Sequence, residues 1–301
     1  MSAVRNSQSK RRKLLKEQTE AKLRIKALQE AAGVGAGTGA SRSAIIAVEH
    51  ADDEVDLPSW RKRKFVIGLL LLPVCLLASL TFMELLFNAT VDKAFWKSEG
   101  FWFFAFGCIF WLSLGWVNLQ PAIAYVFAHE MTHAITARLS GGEVHQMHVD
   151  EAGGYVETDA TNTIVTLSPY MVPFYTVVVF ALYALFGLFI DMDRLSTIPL
   201  GAWSMQFKWI WIFYWLVGVT WCFHITFTLQ VLRTEQSDLK LNGEFFSIML
   251  IFLANIALLG ALFVSASPNL GWTDVWADAR SIVDGLWTTL KWFTGRDTPA
   301  V

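Results

Sequence analysis

Apolar residues along this chain fall into long runs, broken by short polar stretches. The runs occupy residues 65–88, 101–118, 121–139, 164–190, 207–232 and 245–266. A bilayer core takes ~20 apolar helical residues to cross. The pattern therefore predicts an all-α integral membrane protein with about six transmembrane helices. Only the short turn Asn118, Leu119, Gln120, Pro121 separates the second run from the third. Pro169 and Pro173, in S-P-Y-M-V-P-F-Y, predict a kink or loosening early in the fourth.

Three stretches break this pattern. Residues 8–32, rich in Lys, Arg, Glu, Ala and Leu, read as a polar helix, and the Gly/Ala/Ser-rich stretch Gly33 to Ser43 reads as a linker. The loop 140–163 alternates Val144, Gln146, His148 and Asp150 with His145, Met147 and Val149 before Gly153 and Gly154, which predicts a short β-hairpin. Residues 272–294 place Trp272, Trp276, Ala279, Val283, Leu286, Leu290 and Phe293 at helical spacing, with charged residues on other faces. That spacing predicts an amphipathic helix lying at the membrane interface. The expected organisation is a cytoplasmic, basic amino-terminal region over 1–64, a transmembrane domain over 65–266 and an interfacial tail over 267–301.

Composition supports the membrane assignment: 54% of the 301 residues are hydrophobic and 14 are Trp. The net charge of −2 conceals an asymmetry, because residues 1–64 carry 14 Lys and Arg against 8 Asp and Glu. Arg61, Lys62, Arg63 and Lys64 directly precede the first apolar run, which places the amino terminus in the cytoplasm and attracts anionic headgroups. The polar, basic start is unlike a cleavable signal peptide. No nucleic-acid-binding module is recognisable, so nucleic acid is not an expected partner. Cys75, Cys108 and Cys222 lie in apolar runs without a C-x-x-C pair and read as packing residues.

The chemistry concentrates in H-E-M-T-H, residues 129–133. His129 and His133 lie four apart and project from one helix face, where two imidazoles can bind one zinc ion. Glu130 stands where a carboxylate can take a proton from water at that ion. Ionisable groups within a membrane helix cost several kcal/mol each unless they are paired or coordinated. A catalytic zinc wants three protein ligands and an open position. Asp238 in Q-S-D-L-K-L-N-G is one candidate third ligand, reachable if residues 233–244 dip into the bundle; Glu157, Glu151 and Asp150 are others. His145 and His148 diverge on a strand, which disfavours a second metal site, and His224 reads as a satisfied core histidine. With the amino terminus inside and six crossings, residues 140–163 and Asp238 face outward.

The H-E-M-T-H helix, the β-prone loop after it and the later aspartate together resemble the site-2 protease family of intramembrane zinc metalloproteases over roughly residues 118–265. The resemblance implies that His129, His133 and Asp238 hold zinc and that Glu130 activates water. It also implies that an extended substrate segment adds as a strand near the site. The family often shows Asp followed at once by Gly, whereas here Gly243 comes five residues after Asp238. The chain has no room for the PDZ insert of some members. The implied activity is an intramembrane zinc metalloendopeptidase that cuts membrane-embedded or membrane-proximal proteins. The alternatives are a membrane metal-ion transporter or channel, and a catalytically silent scaffold. The absence of an internal repeat counts against many transporter folds.

Overall fold

The computed structural model describes residues 59–92, 94–150, 153–200, 203–233, 237–267 and 269–294. The polar helix expected over 8–32, the linker after it and Glu151 lie outside those residues. The elements in chain order are α1 (Ser59–Asp92), a short 3-10 turn (Phe95–Lys97), α2 (Glu99–Trp116), α3 (Ala122–Leu139), β1 (Val144–Asp150), β2 (Gly153–Thr158), α4 (Thr163–Met171) and α5 (Phe174–Gly187). They continue with β3 (Ser196–Leu200), β4 (Trp203–Phe207), α6 (Trp209–Leu232), α7 (Ser237–Asn242), α8 (Glu244–Ala266) and α9 (Trp272–Phe293).

Among the described residues, four helices are long and apolar enough to cross a membrane: α1, α2, α6 and α8. A fifth crossing results if α4 and α5, bent by 74° at their junction, count as one broken span. Proline explains the break. Val172 precedes Pro173, whose ring disfavours the helical region for the residue before it. Val172 accordingly sits at φ −106°, ψ 113°, in extended geometry.

Two parallel helix pairs set the frame. The aligned contacts of α2 and α6 climb together: Phe103 stacks on Trp211 at 4.9 Å, and Trp111 Nε1 donates to Thr226 Oγ1 at 2.9 Å. Gly107 and Gly218 allow this approach. A Cβ on Gly218 would lie 2.1 Å from the Phe104 carbonyl oxygen, and one on Gly107 2.2 Å from that of Trp215. α1 and α8 also run in the same direction, with Gly68 beside Phe245 and Phe82 edge-on to Phe263 at 5.7 Å.

The two ends of the bundle are marked by different polar clusters. At the end where α2 and α6 begin, Lys208 Nζ bonds Glu99 at 3.0 Å and Asp193 at 3.2 Å, beside the antiparallel hairpin β3–β4. These hydrogen bonds raise the Lys208 pKa above its ordinary value. At the end where α1 begins, Lys64 Nζ donates to Thr163 Oγ1 at 3.2 Å and to Asn242 Oδ1.

These anchors correct the expected topology. α2 and α6 finish together at the Lys64 end, and Thr163 is tied to Lys64 itself. The segment between Trp116 and Thr163 therefore leaves from one end and returns to it. α3, which lies within that segment, is not among the helices apolar enough to cross. His129, Glu130, His133 and Arg138 lower the apolarity of its 18 residues. Asp238 accordingly sits at the same end as Arg61–Lys64, not at the opposite one as six alternating crossings required. The amphipathic helix expected in the tail is present as α9, with Trp272, Trp276, Leu286 and Trp287 exposed; it packs near the far end of α1, where Asn88 donates to Asp278 at 3.4 Å.

Candidate metal centre

The metal-ligand motif occupies the middle of α3, which presents His129 and His133 on one face. Both rings are oriented from outside. His133 Nδ1 lies 2.8 Å from the Val165 carbonyl of α4. A carbonyl only accepts, so Nδ1 carries the proton and Nε2 the lone pair. His129 Nδ1 lies 3.2 Å from the Tyr125 hydroxyl, one turn earlier on the same helix. An Nδ1–H donated to that oxygen likewise leaves the His129 Nε2 lone pair facing inward.

Asp238 arrives from α7, a helix of only six residues, and is 2% exposed. Its Oδ2 lies 3.6 Å from His129 Nε2 and 3.7 Å from His133 Nε2, while the two Nε2 atoms are 3.2 Å apart. A tetrahedral ion with bonds of ~2.0–2.1 Å holds its ligands about 3.3 Å from one another. Three electron-rich atoms therefore converge at the spacing a small cation requires. The donor set fits a metal ion, and it is the one such His/Cys/Asp/Glu group among the described residues.

The other proposed ligands are not brought in. Glu157 and Asp150 lie exposed on the hairpin, and His148 pairs with Asp150 at 2.9 Å on its surface. Neither His145 nor His148 joins a metal-ligating group among the described residues.

Packing and polar contacts fix Asp238 from both sides. Tyr170, fully buried, donates its hydroxyl to Asp238 Oδ2 at 3.0 Å. Leu239 is buried in a small apolar cluster with Leu167, Tyr170 and Ile251. Asn242 accepts from Thr163 Oγ1 at 2.8 Å and donates to Thr166 Oγ1 and to the Asp238 carbonyl. The dip expected over residues 233–244 is thus, over 237–242, a short helix clamped between α1 and α4.

Glu130 is 4% exposed and, among the described residues, its carboxylate has no hydrogen-bond partner. The hairpin passes directly over it. β1 and β2 pair antiparallel, with Met147 opposite Val156 and His148 opposite Tyr155. A Cβ on Gly154 would lie 2.6 Å from Glu130 Cγ and 2.9 Å from Val126 Cγ1, so only glycine lets the strand approach this closely. The hairpin expected from the alternating pattern is therefore present and abuts the motif helix.

A cavity of about 10 Å³ opens beside His129, lined also by Tyr125, Thr132, Pro169 and His224. That is room for about one water. His224 lines this cavity and also has a protein partner. Its Nε2 lies 3.2 Å from Asn255 Oδ1, and Asn255 donates to the Tyr170 carbonyl at 2.8 Å. Sequence reasoning missed Tyr125, Tyr170, Asn242 and Asn255. Tyr125 carried a local signal, four residues before His129; the others act across long sequence separations. Comparison with protein families, curated proteins and solved structures finds no match to this chain.

Proposed function

We propose that this chain is a membrane-embedded zinc metalloendopeptidase of the site-2 protease type, hydrolysing peptide bonds of membrane-embedded or membrane-proximal proteins. The convergence of His129, His133 and Asp238 within 3.2–3.7 Å, with Glu130 one residue from the first ligand, carries this reading. A zinc ion held by those three side chains would supply Lewis acidity, polarising the scissile carbonyl and lowering the pKa of the attacking water.

The chain's own groups do the rest. Glu130 takes the proton from water and returns it to the leaving amine. Val165 and Tyr125 hold the two imidazoles in the ligating tautomer, and Tyr170 orients the Asp238 carboxylate. The bundle limits water near His129 to a small cavity, which strengthens charge interactions there. The β1–β2 hairpin lies against the motif helix, where an extended substrate segment can pair with a strand edge and present its backbone near Glu130. By the positive-inside rule, the end carrying Arg61–Lys64 faces the cytoplasm, and the site opens on that side.

The decisive experiment measures zinc per chain in purified wild type, His133→Ala and Asp238→Ala, together with cleavage by Glu130→Gln. The expected result is about one zinc in wild type and in Glu130→Gln, and loss in the two ligand variants. Cleavage should disappear in all three variants. Transport of a metal ion that survives Glu130→Gln would instead support a carrier.

A further inference from the structure

The small cavity beside His129 has one wall from α6, where His224 is buried. The proton on that ring can be placed from its neighbour. Asn255 Nδ2 donates to the Tyr170 carbonyl at 2.8 Å and to the Ile251 carbonyl at 2.9 Å. Turning the amide round would set its oxygen against two carbonyl oxygens, so its orientation is fixed. Its Oδ1 therefore faces His224 Nε2, at 3.2 Å, and an amide oxygen only accepts. Nε2 carries the proton. A buried imidazole with no anion against it is neutral, so Nδ1 keeps a lone pair, and it has no hydrogen-bond partner among the described residues. Asn255 does not line the cavity; the ring nitrogen left for it is Nδ1.

Tyr125 supplies the complement from α3. The other hydroxyls lining the cavity have committed their protons: Thr132 donates to the Ala128 carbonyl, Tyr175 to that of Ala124 and Thr220 to that of Leu216. The Tyr125 hydroxyl meets only a ring nitrogen, His129 Nδ1 at 3.2 Å. It can donate to that nitrogen or accept from it, and the direction sets the tautomer of His129. A cavity of about 10 Å³ with an acceptor on one wall and a hydroxyl proton on another suits one water. We infer that a water bridges His224 Nδ1 and the Tyr125 hydroxyl, so that His224 is a positioning residue for His129. The water donates to His224 Nδ1 and accepts the Tyr125 proton. The phenol oxygen is then left to accept His129 Nδ1–H, and the His129 Nε2 lone pair is turned toward His133 and Asp238. The consequence for metal binding rests on the metal-centre reading proposed above; the water site itself does not.

The test uses the full chain in neutral detergent and compares His224→Gln with His224→Asn. The Gln amide falls where Nε2 lay, which keeps a donor for Asn255 and removes the acceptor at Nδ1. The Asn amide oxygen falls where Nδ1 lay, which keeps that acceptor and gives up the Asn255 contact. Zinc affinity is read by competition with a chromophoric chelator. The His129 tautomer is read in metal-free protein by nitrogen NMR of isotope-labelled histidine. His224→Gln should weaken zinc binding roughly tenfold and raise the share of His129 that carries its proton on Nε2. His224→Asn should return both readouts toward wild type. Equal effects of the two variants would assign His224 to packing against Asn255 and overturn the inference, as would an unchanged tautomer in His224→Gln. Because the tautomer is read without metal, a chain that holds no zinc would sink the metal centre and still decide this inference.

Discussion

The hydroxyl of Tyr170 meets Oδ2 of Asp238 at 3.0 Å, the same oxygen that faces both His129 and His133. The tyrosine thus orients the carboxylate that the proposed metal centre needs as its third ligand. Outer partners of this kind typically cost 10–100-fold in metal affinity or activity when removed. Tyr170→Phe retains the buried ring and should therefore keep the fold while weakening metal binding by about that factor. Competition with a chromophoric chelator measures it; an unchanged affinity would show that the hydrogen bond is incidental.

Glu130→Gln should separate binding from chemistry. General-base catalysis contributes roughly 10²–10⁴-fold. Cleavage of a membrane substrate should fall by at least that range while metal content stays at wild-type level, read by metal analysis on the assayed sample. Loss of metal would mean that Glu130 is structural.

Gly154→Ala should damage the site through the hairpin. The added methyl collides with Glu130 Cγ, and overpacking of this sort costs ~1–3 kcal/mol. Displacement of the strand or of Glu130 should reduce cleavage strongly while His129, His133 and Asp238 still hold metal. Full activity in Gly154→Ala would show that the hairpin is not coupled to catalysis.

Gly218→Val tests the α2–α6 seam. Its side chain would press on the Phe104 carbonyl, leaving the backbones no room to stay in contact. A lowered thermal midpoint in detergent is expected, whereas substitution at exposed Leu112 should be mild.

Topology can be tested by cysteine labelling in a background lacking Cys75, Cys108 and Cys222. Cysteines placed at Leu119 and Thr161 should both react from the side that labels Lys62→Cys, and one at Thr197 from the other. Six full crossings would instead put positions 119 and 161 on opposite sides.

Much of the site was legible because its chemistry is local. His129, Glu130 and His133 share one helix face by spacing alone, and the alternation after Val144 announces a hairpin. The Pro169 and Pro173 pair likewise foretold the bend. Asp238 was reachable only as one of several candidates, since sequence spacing says little about which distant carboxylate returns to a helix. The path of α3 was misread for a physical reason. His129, Glu130, His133 and Arg138 interrupt an otherwise apolar run, and over all 18 residues they leave this helix less apolar than the four that could cross. The β3–β4 hairpin went unseen because Ser196–Leu200 and Trp203–Phe207 are short and lie between two strongly apolar runs. Tyr170 and Asn242 carry no signal of their own, because their roles come from partners dozens of residues away.

The candidate metal centre draws two donors from α3 and the third from α7, beyond the last residue of α6. During biosynthesis, a nascent chain that has emerged only through Leu232 holds two imidazoles and no carboxylate to complete the set. The centre matures only when α7 docks against Thr163 and Lys64, after nearly the whole bundle has been made. Chains cut short before Asp238 therefore lack the third donor of the proposed centre, and no separate inhibitor would be needed to keep them silent.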